Sequence, residues 1–582
     1  MRRHHFPIVP LLLLTACAST GELASNKPSP LGSPRELLKG FRERAGLVLE
    51  KDAYGDGATK LVYLDQGWGP PETLWFYHAD QGSVLMPYDT LVHLEQAGND
   101  QPFIHPEHMT RFRFLNQHRT PNNPDALPVG FARHEDQVGL TCAACHTSQL
   151  NYRGTAIRID GAPALADVSG FLRDMQAALT ATLADDAKLA RFAAAVPGGG
   201  RDEASREAAR KSLTQTLRWF ESYNTANHSS TVEGFGRLDA VGRIINQAIR
   251  FSSDSKNSIE PNAPTSYPLL WDAPRHDYVQ WTGFSPNAGA GSLGRNTGEV
   301  VGVFGRVEVK YYETEQAAKK GYPSTVEANE LVAMEESLRG LKSPRWPENV
   351  LPPIDRTLAA RGETLYQAHC VSCHALIDRD DPKRSVTAMI TGIDVVGTDD
   401  TTARNIAEAR VPSGVLEGAL SPQGSKYGAQ MSALSLVADL ATRTVSASPD
   451  AALKSLVNAR LHRQEKTAKQ GNHTRNSDAN PAADLLAYKA RPLNGTWASS
   501  PYLHNGSVPT LYALLLPPTE RPQTFSVGRW EYDPKQVGYI SDGSAPFVFD
   551  TRVTGNSNRG HEYGVTLPDA DRWALVEYLK TL

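Results

Sequence analysis

Two five-residue units, Cys142-Ala-Ala-Cys145-His146 and Cys370-Val-Ser-Cys373-His374, constrain this chain more than any other feature. Two thiols three positions apart lie on one side of a helical turn. There they can add to the two vinyl groups along one edge of a haem, and the next His then reaches the iron as proximal ligand. A thioredoxin-like Cys-x-x-Cys would need a βαβ setting, and a four-Cys zinc site would not explain why a His follows both pairs. The chain holds 5 cysteines. Cys17 has a separate use, so the other four complete two pairs and leave none for disulfides. The expectation is two covalently bound haem c groups, attached through Cys142, Cys145, Cys370 and Cys373, with His146 and His374 on the irons.

The amino terminus reads as an export signal. A basic Met1-Arg-Arg-His-His start precedes an apolar stretch, Phe6 to Ala16, shorter than the ~20 apolar residues that span a bilayer. Leu14-Thr-Ala-Cys17 resembles the lipobox of bacterial lipoproteins. That implies cleavage after residue 16 and lipid on Cys17, and Ala18 favours the outer membrane. Residues 17–35, rich in Ser, Pro and Gly, are expected to be a tether. The chain is thus placed on the periplasmic side of the envelope, touching membrane through its anchor only. Lys+Arg 60 against Asp+Glu 64, a net charge of -4, excludes the dense basic surface that nucleic acid requires.

At 582 residues the chain exceeds one ordinary core. Residues 36–342 are expected to form a domain around the first unit, with helices from Asp167 to about Leu183 and from Arg237 to Arg250. Ser343 to Pro353 carries four prolines and reads as a linker. Residues 354–582 then form a second domain. Ile354 to His369 has helical spacing, Leu567 to Leu582 does too, and the pair resembles the first and last helices of a class I cytochrome c. The expected fold class is mainly α: two cytochrome c-type haem domains with long irregular loops and insertions.

The sixth iron ligand decides which haem can react. In class I cytochromes it lies on the loop before the last helix, here Asn556 to Gly564, which nominates His561 for the second haem. His504 and Met431 are the alternatives. For the first haem, His118, His134, His228 and His276 are open choices, and so is an open coordination place. Trp271 and Trp281 sit in an aromatic-rich polar loop where an indole can relay electrons, with Trp281 favoured.

Leu493-Asn-Gly-Thr-Trp-Ala-Ser-Ser-Pro-Tyr-Leu-His-Asn-Gly-Ser-Val-Pro-Thr-Leu511 resembles the bacterial di-haem cytochrome c peroxidases and their methylamine-utilisation relatives. Gln280-Trp-Thr-Gly283 and Gly560-His-Glu-Tyr-Gly564 look most like the rubber oxygenase branch. The peroxidases imply peroxide reduction at the amino-terminal haem, fed by a His/Met haem through a Trp. The rubber oxygenases imply dioxygen at that haem, a bis-His second haem, and cleavage of polyisoprene. The expectation is an exported oxidoreductase using peroxide or dioxygen at the first haem. The second haem exchanges electrons with a donor or acceptor protein or a small-molecule substrate. The rival is a non-catalytic di-haem electron carrier.

Overall fold

The computed structural model describes residues 54–582 except 121–122, 277, 288–290, 387, 463–469 and 472–484. The expected signal segment 1–16, the lipidation site Cys17 and the tether 17–35 lie outside the described residues. No helix among those described is long and apolar enough to cross a membrane.

Helices form where acidic caps precede apolar positions at three- and four-residue steps. The Asp167 carboxylate accepts the Gly170 N–H at 2.8 Å and starts the Val168–Ala184 helix, which buries Phe171, Leu172, Met175, Ala178 and Leu179. Asp239 does the same for Ala240–Ser252, accepting from Gly242 at 2.8 Å. Asp355 accepts the Leu358 N–H at 2.9 Å and starts Arg356–His369, whose C-cap is Cys370. The second Cys-x-x-Cys-His unit is therefore delivered by a helix end.

The Arg356–His369 helix crosses the carboxy-terminal helix, Asp569–Thr581, at very short range. A Cβ on Gly362 would lie 2.0 Å from the Ala574 carbonyl oxygen, so the crossing needs glycine there. Tyr366 and Tyr578 pack beside it with ring centroids 5.2 Å apart, and Arg361 pairs with Asp571. The chain end is held as well, because the Leu582 carbonyl accepts the Gly495 N–H at 2.8 Å.

Strands are short and paired across long sequence distances. After His146, Thr147–Tyr152 turns through Arg153 and Gly154, both at positive φ, into antiparallel Thr155–Asp160, as a two-residue hairpin demands. Thr155–Asp160 then pairs in parallel with Lys60–Tyr63. Asn151 N–H reaches the Trp530 carbonyl at 2.7 Å, tying the hairpin to the other half of the chain. Ala487–Ala490 pairs antiparallel with Met389–Gly392.

These observations correct the expected fold class. Helix makes up 40% and strand 15%, so the chain is mixed and not mainly α. Among the described residues the strands fall into eight small sheets. One hydrophobic core joins Phe76, Ile157 and Trp271 to Trp497, Tyr532 and Leu579, across the expected boundary at 343–353. Trp346 and Leu351, from the proline-rich stretch 343–353, belong to that core, and the Trp346 ring lies 5.4 Å from that of Trp497. A smaller core packs Ile245 and Ile249 against Val301, Leu436 and Leu440. Val241 and Val437, which pack against it, line the cavity described below.

Gly362→Ala tests the crossing. Ala is the better helix former by ~1 kcal/mol, yet its methyl group meets backbone that has nowhere to go. We expect a net loss of about 1–3 kcal/mol in denaturant unfolding. Unchanged stability would show that the two helices can part at no cost.

Candidate functional site

The first unit begins with Thr141, whose hydroxyl accepts the Ala143 N–H at 3.2 Å and caps the single turn Cys142–Cys145. The His146 N–H closes the turn on the Cys142 carbonyl at 2.9 Å. A Cβ on Gly130 would lie 2.1 Å from the Ala144 nitrogen, so the turn that leads into the strand Phe131–His134 is pressed directly onto the Cys142–Cys145 turn. Burial pushes both thiols up to about 12, keeping them protonated. It pulls His146 down to about 4, so the imidazole is neutral, the form that binds a metal.

Both thiols and His146 line a cavity of about 530 Å³, within the size range of cofactor pockets. Most of its wall is apolar, including Val241, Ile244, Leu269, Leu270, Phe284 and Val437. Gly291, Gly294, Gly298 and Gly302 of one helix, Gly291–Gly302, also line it, and Gly294 has nothing within 4 Å of where its Cβ would stand. A glycine-faced helix beside paired thiols leaves room for a flat ring system, and the donor set of two thiols and one neutral imidazole fits haem c.

Polar groups on this wall are few and mostly paired. Arg243 meets Glu233 at 2.7 Å and Arg295 meets Glu335 at 2.6 Å. Burial pushes the Glu299 carboxyl above its ordinary range despite the opposing pull of Arg295, while Gln280 Nε2 donates to it at 2.7 Å. Arg295 Nη1 stands 4.0 Å from the same carboxylate oxygen. Of the four histidines left open for the first centre, His276 alone lines this space. His134 instead contacts Asp80 at 2.7 Å.

The two tryptophans separate. Trp281 lines the cavity, donates from Nε1 to the Ser266 carbonyl at 2.7 Å, and accepts the Lys489 N–H at 2.7 Å. Trp271 is 1% exposed, sits in the shared core, and donates to the Asn494 carbonyl at 3.0 Å.

At the second centre, the His374 N–H reaches the Cys370 carbonyl at 2.8 Å, and Tyr366 Oη donates to the His374 carbonyl at 2.6 Å. His374 Nδ1 lies 2.7 Å from the Arg491 carbonyl. A carbonyl only accepts, so Nδ1 carries the proton and the Nε2 lone pair is left for a metal. Burial lowers His374, and burial followed by the nearby His374 and Arg521 pulls His561 down to about 3, so both rings are neutral. Their centroids stand 6.3 Å apart. A metal bonded to two imidazoles at ~2 Å per bond places ring centroids on the order of 6–6.5 Å apart. The fit to an iron between the rings is close.

His561 is held there by its N–H to the Val396 carbonyl at 2.8 Å, and its φ of 50° is one few non-glycine residues adopt. A Cβ on the adjacent Gly560 would lie 2.2 Å from the Gly397 backbone, so two loops interlock behind the ring. The alternatives are placed elsewhere. His504 stacks on Tyr488 at 4.1 Å, and Met431 is buried in the smaller core.

Sequence reasoning missed Glu299, Arg295 and Arg491, and gave Gln280, which stands in the Gln280–Gly283 string, no role. The glycines at 291, 294, 298 and 302 were the available signal, since they mark one face of a helix with Arg295 and Glu299 beside it.

A family model described as RoxA-like, cytochrome c-like matches residues 487–526. The match starts on the strand that carries Lys489 and leads to Arg491. It is confined to this segment, which again leaves no basis for two cytochrome c-type domains. The uncharacterized protein y4iJ of Sinorhizobium fredii (strain NBRC 101917 / NGR234) is 34% identical over 591 residues, covering 90% of this chain and 93% of that protein. The uncharacterized protein y4iM of the same organism is 36% identical over 120 residues, covering 17% of this chain and 28% of that protein.

The raised Glu299 carboxyl gives a pH prediction. Folding favours its protonated form, so its contribution is fully present at acidic pH and is lost as pH rises through the raised pKa. Glu299→Gln keeps an acceptor for Gln280 and removes the titration. Thermal melts should show the variant matching the parent at acidic pH and exceeding it at alkaline pH. A parallel pH dependence in both proteins would contradict this.

Proposed function

The chain belongs to the same family as Sinorhizobium fredii y4iJ and carries a RoxA-like, cytochrome c-like segment at 487–526, and from this we propose that it is a di-haem c-type cytochrome oxidoreductase. The observation that carries the reading is the opposition of the neutral His374 and His561 rings at 6.3 Å. Haem c would supply one-electron chemistry and, where a coordination place stays open, affinity for peroxide or dioxygen.

In this reading the centres have unequal roles. At the second, His374 and His561 would hold the iron between their rings, and the group would supply electron exchange. At the first, Cys142, Cys145 and His146 would hold the group in the cavity, whose wall also carries Glu299 and its hydrogen-bond donor Gln280. The mostly apolar wall suits an apolar co-substrate beside peroxide or dioxygen, which accords with the polyisoprene that the rubber oxygenase resemblance implies. Trp281, bonded through its carbonyl to Lys489, stands between the cavity and the strand leading to Arg491 and His374. It is the better electron relay of the two tryptophans. Export, lipid attachment at Cys17 and a periplasmic redox partner complete the proposal.

His276 on the cavity wall favours one rival, a non-catalytic carrier with six-coordinate iron at both centres. Electronic and EPR spectra before and after reduction and addition of peroxide or dioxygen separate the two. We expect one low-spin haem and one high-spin or ligand-binding haem that turns over. His561→Ala should convert only the low-spin haem to high spin, and His276→Ala should leave both spin states as they were. Two inert low-spin haems, one of which becomes high-spin in His276→Ala, would establish the carrier instead.

A further inference from the structure

Three arginines line the first cavity: Arg243, Arg295 and Arg491. The first two are neutralised by Glu233 and Glu335 at 2.7 and 2.6 Å. Arg491 makes no ion pair among the described residues. Its Nη1 and Nη2 donate to the neutral carbonyls of Leu269 at 3.1 Å and Trp271 at 2.9 Å, and its Nε is buried without a hydrogen-bond partner. The nearest acid that acts on it, Asp272, is taken by Arg384 at 2.7 Å and Arg275 at 3.8 Å. Two neutral carbonyls offset the burial of this cation only in part, and an anion brought into the cavity would supply the missing counter-charge.

The main chain of the same residue faces the other way. The Arg491 carbonyl accepts from His374 Nδ1 at 2.7 Å and so sets the tautomer and orientation of the imidazole at the second centre. Residue 491 is the point where the two sites meet.

We propose that Arg491 is a two-sided positioning residue: its guanidinium binds a carboxylate of the cofactor in the first cavity, a haem propionate, while its carbonyl orients the proximal imidazole of the second. This rests on the di-haem reading. The side chain then tunes the first centre alone, because the carbonyl survives any substitution. A positive charge beside the first haem favours the ferrous state, so removing it lowers that haem's midpoint potential.

The test is a spectroelectrochemical titration of the holoprotein that follows each haem separately. Arg491→Gln should shift the ferric-to-ferrous ratio of the first haem at fixed poise by on the order of tenfold towards ferric, ~59 mV for a one-electron couple. The second haem should keep its midpoint. Arg491→Lys, which keeps the charge but loses the fork, should recover most of the shift. First-haem midpoints that are equal in all three proteins would overturn the proposal, and so would parallel shifts at both haems. If Arg491→Gln loses the first haem, Arg491→Lys decides: a retained haem with a near-parental midpoint supports the proposal, and loss there too overturns it. A haemochrome assay that finds fewer than two haems in the parent protein would sink the di-haem reading itself. Two haems with unmoved potentials would sink only the role of Arg491.

Discussion

An imidazole has two ring nitrogens to satisfy, and at His374, which is only partly shielded from water, the protein holds Nδ1 and leaves the Nε2 lone pair for a metal. The Arg491 carbonyl takes Nδ1 at 2.7 Å, and the opposite ring, His561, stands 6.3 Å away with its own Nδ1 buried and unpartnered. Holding two neutral rings in this arrangement costs desolvation that their mutual contact cannot return. A metal between them would return it. Much of the carboxy-terminal half can be understood as the frame for this geometry. The Gly362 crossing fixes the helix that delivers Cys370, the Gly560 and Gly397 loops back His561, and the strand Ala487–Ala490 leads to Arg491.

The first centre obeys the opposite constraint. There the chain keeps space beside its histidine instead of filling it, through the bare glycine face of Gly291–Gly302 and a mostly apolar wall. Two of its three arginines are neutralised by their own carboxylates, and Glu299, Gln280, His276, Lys489 and Arg491 are among the polar groups left on the wall. In the proposed reading, the closely opposed His374 and His561 rings would serve electron exchange and the cavity beside His146 would serve the chemistry.

What could be read from residues alone follows from how local the signals are. The Cys-x-x-Cys-His units, the capped helix after Asp167 and the two helices near 354–369 and 567–582 are contiguous patterns, and the described helices overlap them closely. His561 was nominated by its place in a loop, and its ring does stand opposite His374. The strands escaped because they run only two to six residues and their partners are remote, as with Lys60–Tyr63 against Thr155–Asp160. The prolines of 343–353 suggested a free linker, whereas Trp346 buries that stretch in the common core. Arg491 and Glu299 stood in no motif, and their meaning comes only from the partners they have or lack in three dimensions.

The central claim, that both units carry covalent haem, is tested most directly by intact-mass spectrometry of the purified protein with peptide mapping of the attachment sites. The expected mass exceeds that of the processed polypeptide by two haems, with one on the peptide bearing Cys142 and Cys145 and one on the peptide bearing Cys370 and Cys373. A mass increment of one haem or none, in protein matured where c-type haem attachment operates, would contradict it.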